Sequence, residues 1–78
     1  MKTIKLSDCQ KSKNYVISNI LINDKHLKQH LEHLFFKPNQ KIMIKRENYR
    51  RKAFIVEVLG INYAIEKEIC DEIYVYDA

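Results

Sequence analysis

Three histidines are the first residues of this chain whose type and spacing could bind something. His26, His30 and His33 follow one another at intervals of four and three residues. On a helix, that spacing puts the three side chains within about 60° of arc on one face. Because imidazole suits several transition metals, this histidine stripe predicts a metal site. A structural site needs three or four ligands and no nearby carboxylate completes the set, so half-exposed histidines beside a core helix are the simpler interpretation.

A basic cluster is the second candidate, and we call it the hairpin patch. Its members lie between two apolar runs and are Lys45, Arg46, Tyr49, Arg50, Arg51 and Lys52. Such a patch could track nucleic-acid phosphates, dock on an anionic membrane or a protein, or serve only as a solvated tip. A formal net charge of only +4 and an acidic segment from Glu66 onward make nucleic acid an unlikely partner. Partner binding through the hairpin patch is the functional prediction.

The remaining reactive residue types do not form a catalytic motif in the sequence. Cys9 and Cys70 are far apart and belong to no Cys-x-x-Cys pair, so we interpret both as buried packing residues. The chain has no Gly-rich phosphate loop and no nucleophile motif, and 78 residues leave little volume for a sheltered substrate pocket. We therefore predict that the protein is not an enzyme and that it requires no cofactor.

Length and composition predict one small folded unit, residues 1–78. Apolar residues make up 46% of the chain and charged residues 31%, with one Gly and one Pro. That composition is globular, and so short a chain can build one core only. No segment is apolar for long enough to cross a bilayer, and the start lacks the features of a signal peptide. We expect a cytoplasmic protein without membrane insertion, and leave peripheral attachment to the inner face of the membrane open.

Periodicity predicts a mainly β chain with one α-helix. Apolar residues recur at helical spacing only in 25–36, where Asn23-Asp24 offers an N-cap and Pro38 forces the helix to end. The predicted strands are 15–22, 41–46, 53–59, 63–65 and 73–76. Residues 47–52 and 60–62 are predicted turns, and 66–71 a single helical turn. A small barrel plugged by the helix would remove most sheet edges.

The first predicted strand has apolar residues on both faces. Strict alternation puts Tyr15 and Ile17 on one side and Ile20 and Ile22 on the other. We interpret this as a barrel strand that is partly buried on both sides.

The order of these elements carries a resemblance to a known family. Leu31, Leu34, Phe36, Pro38 and Ile42 are similar to the Leu-x-x-Met-Gly-Leu-x-Pro-Gly-x-x-Val signature of the FeoA family. Further matching positions lie before and after that signature, at Leu6-Ser7, Val56, Val58, Gly60, Tyr63-Ala64-Ile65, Ile73 and Val75. The matching pieces span nearly the whole chain and fall in the family's order.

Four positions depart from the family pattern. Phe35 and Asn39 stand where the family usually has Gly, Ser12 where an earlier Gly is common, and Glu66 where Arg is common. Asn39 is the non-Gly residue that best accepts a left-handed conformation, so the turn after the helix is expected to survive. Phe35 predicts a helix exit built differently from that of the family.

The resemblance implies a small SH3-like β-barrel and a role in ferrous iron uptake. It implies an adaptor that binds the cytoplasmic, guanine-nucleotide-binding part of the membrane permease FeoB and modulates transport without chemistry of its own. In that setting, Fe(II) or another transition metal is the ion that the histidine stripe would take. The alternative is a metal-binding or metal-responsive module, either a small iron-binding protein that uses the histidine stripe or a relative of the SH3-like domains appended to iron-dependent repressors.

Overall fold

The structure, a computed structural model, describes residues 2–78. Its strands are β1 (Ile4–Lys5), β2 (Asn14–Ile20), β3 (Lys41–Asn48), β4 (Ala53–Val58), β5 (Ile61–Glu66) and β6 (Ile73–Asp77). The helices are α1 (Lys25–His33) and the single turn α2 (Lys67–Cys70), and a 3-10 turn covers Leu6–Asp8. The prediction of a mainly β chain with one principal helix is confirmed.

All six strands belong to one antiparallel sheet in the order β1-β6-β2-β3-β4-β5. Its two edge strands are β1 and β5, and within residues 2–78 no backbone pairing joins them. The barrel is therefore open between its edges, and the edge strand β1 is only two residues long. The helical segments α1 and α2 lie against β5, where Leu27, Tyr63 and Ile69 line a shared groove.

A bulge in β2 changes which residues face the core. The pairing of β2 with β6 shifts by one residue between Ile17 and Asn19. As a result Tyr15, Ile17 and Ile20 are all buried, so the predicted separation of Ile20 from Ile17 is wrong. A bulge adds one unpaired residue to its strand and so reverses the alternation that follows it. Strand β2 also ends at Ile20, two residues earlier than predicted.

The core is a single cluster drawn from nearly every element. Eight of its members have no exposed surface at all: Leu6, Ile17, Phe36, Ile44, Val56, Cys70, Ile73 and Val75. Helix α1 contributes Leu31, while Leu27 and Leu34 are only half-buried beside it. Leu31 is therefore the one fully buried side chain with which α1 covers the core of the sheet.

Helix α1 begins where the sequence predicts. Asp24 is extended, and its Oδ1 accepts hydrogen bonds from the backbone N–H groups of His26 (3.0 Å) and Leu27 (3.2 Å). These bonds satisfy two of the backbone donors that a helix start leaves unpaired. The predicted N-cap is confirmed.

Helix α1 ends at His33, three residues before the predicted end. Leu34 is its C-cap and Phe35 follows in a left-handed conformation, with φ 68°. The N–H groups of Phe35 and Phe36 donate to the carbonyl oxygens of Glu32 and Leu31, both at 2.9 Å. That pair of bonds is the Schellman motif, which usually needs glycine at the left-handed position. The exit keeps the glycine geometry although Phe35 occupies the position, so the prediction of a differently built exit is wrong.

Left-handed residues also form the two other turns that matter here. Asn39 has φ 73°, so the predicted left-handed turn after Pro38 is confirmed. Val58 and Ile61 pair directly across β4 and β5, leaving Leu59 and Gly60 as a two-residue turn with φ 54° and 78°. Two positive φ values give the type I′ turn that suits a tight hairpin. The predicted turn 60–62 is therefore shorter and begins one residue earlier.

Candidate partner-binding site

The hairpin patch lies at the free end of the β3–β4 hairpin. Strand β3 continues to Asn48, so Glu47 and Asn48, which were predicted to be loop, belong to the strand. The tip is reduced to residues 49–52. Asn48 Oδ1 accepts a hydrogen bond from the Arg51 N–H at 3.3 Å, which holds the tip in a turn. Tyr49 is 73% exposed at the start of the tip, so its ring is free for a partner.

Most cations of the hairpin patch have no acidic partner. Lys45 occupies a bulge in β3, and its Nζ lies 3.7 Å from Glu57 Oε1. The side chains of the other four basic residues are exposed and make no ion pair among residues 2–78; they are Arg46, Arg50, Arg51 and Lys52. Unpaired guanidinium groups beside an exposed tyrosine suit an acidic protein surface, where Arg pairs with carboxylates in a planar, bidentate way.

An acidic segment lies directly beside the hairpin tip. The Lys67 N–H donates to the Lys52 carbonyl oxygen at 2.8 Å, which fixes the start of α2 against the tip. A surface groove of about 460 Å³ between them is lined by Arg51, Lys52, Glu66, Lys67, Glu68 and Asp71. The sequence placed the basic and acidic segments apart, whereas the fold makes them neighbours. These carboxylates confine the positive charge of the tip to a small area, which suits a long phosphate backbone poorly.

The histidine stripe is exposed along α1. His30 lines the groove between α1 and β5, which holds about 310 Å³. Across residues 2–78, no group of three or more His, Cys, Asp or Glu side chains is arranged to hold a metal ion. The fold thus presents the stripe without adding a further ligand to it, and metal binding by His26, His30 and His33 stays a prediction that metal titration would test.

Both cysteines are free thiols held in unreactive surroundings. Burial raises the pKa of the Cys70 thiol to about 12, with Asp71 adding to the rise. Burial likewise raises the pKa of Cys9 to about 12, against a hydrogen bond to Tyr15 that lowers it. A thiol with so high a pKa is protonated at neutral pH and is a poor nucleophile or metal ligand.

The raised pKa of Cys70 predicts that this thiol makes the fold sensitive to alkali. In the unfolded chain the thiol ionises above pH 9, while the folded thiol keeps its proton until about pH 12. Its contribution to stability is therefore complete below pH 9 and is lost as the pH rises from 9 to 12. Each pH unit between 9 and 12 should therefore lower the unfolding free energy of the wild type by about 1.4 kcal/mol more than that of Cys70→Ala, because the variant has no thiol to ionise. Urea unfolding at stepped pH measures this, and parallel profiles for the two proteins would contradict it.

Two exposed apolar side chains were not predicted as functional residues. Phe35 and Leu59 stand at left-handed positions and are 45% and 60% exposed. The sequence contained a signal for each, since Phe35 replaces a usual glycine and Leu59 precedes the glycine of a tight turn. Elsewhere, no helix among residues 2–78 is long and apolar enough to span a membrane.

Comparison with known proteins identifies the fold. The chain resembles an iron uptake regulatory protein (FeoA), with a TM-score of 0.80, 21% identity and coverage of 97% of each chain. It resembles iron(II) transport protein A from Clostridium thermocellum with a TM-score of 0.86 and 20% identity, covering 96% of this chain and 46% of that one. A manganese-dependent transcriptional repressor in complex with manganese matches with a TM-score of 0.88 and 10% identity, over 97% of this chain and 37% of the repressor. These likenesses confirm the SH3-like fold.

Sequence comparison tests family membership, which a shared fold alone does not show. No curated protein sequence matches the chain. The family model described as the FeoA domain matches residues 4–77, which include every strand and helix of the structure. The left-handed exit from α1, the Leu59-Gly60 turn and the closing strand β6 all lie within that match. The chain therefore belongs to the FeoA family.

Proposed function

We propose that this protein is an accessory protein of ferrous iron uptake that binds the cytoplasmic part of the FeoB permease through the hairpin patch. The FeoA family is one of small accessory domains connected with ferrous iron transport. Binding to FeoB goes beyond that family relation. The protein would act by a binding equilibrium that modulates transport, with the chemistry left to the permease.

The observation that carries this proposal is the projecting tip with its unpaired positive charge. Tyr49 offers an aromatic anchor, and Arg50 and Arg51 offer guanidinium groups that no carboxylate among residues 2–78 approaches to salt-bridge distance. Aromatic and Arg side chains are the residue types that dominate binding at protein interfaces. The carboxylates of Glu66, Glu68 and Asp71 beside the tip keep this positive charge local, which favours a discrete acidic patch over an extended polyanion.

The test is capture of the partner from the membranes where the permease resides. Tagged protein is incubated with native membranes solubilised in mild detergent, and the bound material is analysed by mass spectrometry and for nucleic acid. We expect FeoB to be retained, and its purified cytoplasmic part to bind the same bait directly. Recovery of nucleic acid without FeoB, or no direct binding of the purified part, would contradict the proposed function. A mock bait with the same tag controls for the resin.

A further inference from the structure

A second surface of the molecule carries apolar side chains that the fold itself does not need. We call it the exit-turn patch, and it consists of Phe35, Leu59 and Ile61, which are 45%, 60% and 52% exposed. These residues stand on two different turns, one after α1 and one between β4 and β5. Isolated exposed apolar residues are ordinary, but a group of them on adjacent turns marks an interaction site.

The two turns are neighbours in the fold. Asn39, in the turn that begins at Phe35, and Leu59 line the same surface groove of about 330 Å³. On the other side, the ring of Phe36 packs edge-on against Tyr63, with the ring centroids 5.6 Å apart. Tyr63 is next but one to Ile61 along β5, so its side chain points to the same face. Both turns therefore contribute to one end of the molecule.

Phe35 and Leu59 occupy positions at which their side chains cost stability. Their φ values of 68° and 54° lie in the left-handed region, where a large side chain is strained and glycine is not. Both turns would form more easily with Gly or Asn at these positions. Burial offsets only part of this cost, since Leu59 is 60% exposed and Phe35 is 45% exposed. An apolar side chain that the fold would be more stable without is expected to serve a contact outside the fold.

The rim of the exit-turn patch is positively charged. Lys37 Nζ lies 5.5 Å from the centroid of the Phe35 ring, and Lys41 lines the groove beside Leu59. Neither lysine makes an ion pair among residues 2–78, whereas the one acidic residue of the groove, Glu57, is paired with Lys45 at 3.7 Å. The free charge of the rim is thus positive, and a complementary surface carries carboxylates.

The groove beside the patch favours a protein surface over a lipid headgroup layer. Its lining includes three side-chain amides, those of Asn14, Asn39 and Gln40. Amides donate and accept hydrogen bonds in fixed directions, which suits backbone groups and carboxylates held in place by a folded partner. A membrane surface would instead reward a broad basic face with few directional groups.

We propose that the exit-turn patch is a second docking surface, which inserts Phe35 and Leu59 into an apolar pocket rimmed by carboxylates on a protein partner. The inference rests on the proposed function, because it assigns that pocket to the same cytoplasmic part of FeoB that receives the hairpin patch. Phe35 and Leu59 are the apolar anchors, and Lys37 and Lys41 pair with the rim.

The test compares stability and binding in the same variants. Phe35→Gly and Leu59→Asn each replace a strained side chain by one that accepts a left-handed conformation, so their urea midpoints should equal or exceed that of the wild type. Their affinity for the purified cytoplasmic part of FeoB should fall by about tenfold or more, as for anchor residues of an interface. Leu21→Asn is the matched control, since Leu21 is a 53% exposed leucine outside the patch, and it should bind like the wild type.

Each outcome decides between the possibilities. Wild-type affinity in both Phe35→Gly and Leu59→Asn would overturn the exit-turn patch while leaving FeoB binding intact. No binding by the wild-type protein would overturn the proposed function and this inference together. Sedimentation with vesicles of phosphatidylethanolamine and phosphatidylglycerol is run in parallel. Vesicle binding that needs Phe35, with FeoB binding that does not, would overturn the protein partner in favour of lipid.

Discussion

Replacing Phe36 by alanine is expected to bring this protein close to unfolding. Phe36 is completely buried, and its ring packs edge-on against Tyr63 between the exit of α1 and strand β5. Removing such a ring costs about 3–5 kcal/mol through lost burial and the cavity left behind. A domain of this size has about 4–12 kcal/mol of total stability, so the substitution removes a large part of it.

Urea unfolding followed by circular dichroism measures the effect, and Phe35→Ala is a control at the next position in the chain. With a slope of about 1–1.5 kcal/mol per molar urea, the midpoint of Phe36→Ala should fall by at least about 2 M. Phe35 is partly exposed and left-handed with either side chain, so its replacement by alanine should change stability by less than about 1 kcal/mol. Similar midpoints for the two variants would show that the helix exit is not anchored by Phe36.

The double charge reversal Arg50→Glu and Arg51→Glu is expected to weaken binding to the cytoplasmic part of FeoB by roughly ten- to a hundredfold, or about 1.4–2.8 kcal/mol. Both side chains are exposed at the hairpin tip and make no ion pair among residues 2–78, so the reversal breaks no internal bridge. It replaces attraction to an acidic surface by repulsion, and the carboxylates of Glu66, Glu68 and Asp71 beside the tip add to that repulsion.

A control with the same charge change shows whether position matters. Lys2→Glu with Lys5→Glu lowers the formal net charge from +4 to 0, as the arginine pair does, because each exchange removes two units. Lys2 and Lys5 are exposed near the short edge strand β1, away from the hairpin tip in the sheet. We expect this control to bind nearly as the wild type does. Equal weakening by both pairs would reduce the hairpin patch to a general charge effect.

The salt dependence of binding to the cytoplasmic part of FeoB gives a second test with the same variants. Screening shortens the reach of charge from about 10 Å at 0.1 M salt to about 3 Å at 1 M. The difference between the wild type and the arginine double variant should therefore narrow as salt rises. The effect of Phe35→Gly should persist at high salt, because burial of an apolar ring does not depend on screening. The two surfaces can thus be separated within one titration series.

The fold places these surfaces on a scaffold that is shared by proteins of different kinds. Solved structures with the same fold include an iron uptake regulatory protein, an iron(II) transport protein and a manganese-dependent repressor, at identities of 10–21%. A fold common to such proteins does not select a function, and the chemistry of exposed groups has to do so. In this chain the exposed groups that stand out are basic, aromatic and aliphatic, which is why binding is the activity we propose.

Local sequence signals determined the elements of this protein and the type of its candidate site. The spacing of Leu27, Leu31 and Leu34 predicted α1, and Asp24 and Pro38 marked its two ends to within a few residues. Alternating β-branched residues predicted the strands, and the run of basic residues around Tyr49 predicted the hairpin patch. These signals are local because helix capping, proline geometry and side-chain alternation depend on residues within a few positions of one another.

Only the tertiary structure decided which residues face the core, which charges are free and which surfaces adjoin. The bulge in β2 moved Ile20 to the core face. The bulge depends on the pairing of β2 with β6, so no short-range sequence pattern predicts it. The contact between Lys67 and Lys52, across fifteen positions of sequence, brought the acidic segment around α2 beside the basic tip. The left-handed Asn39 and Leu59 came to line one groove in the same way. Such contacts depend on strand order and on packing between distant segments. The sequence therefore identified the candidate groups, and the fold decided which other groups lie beside them.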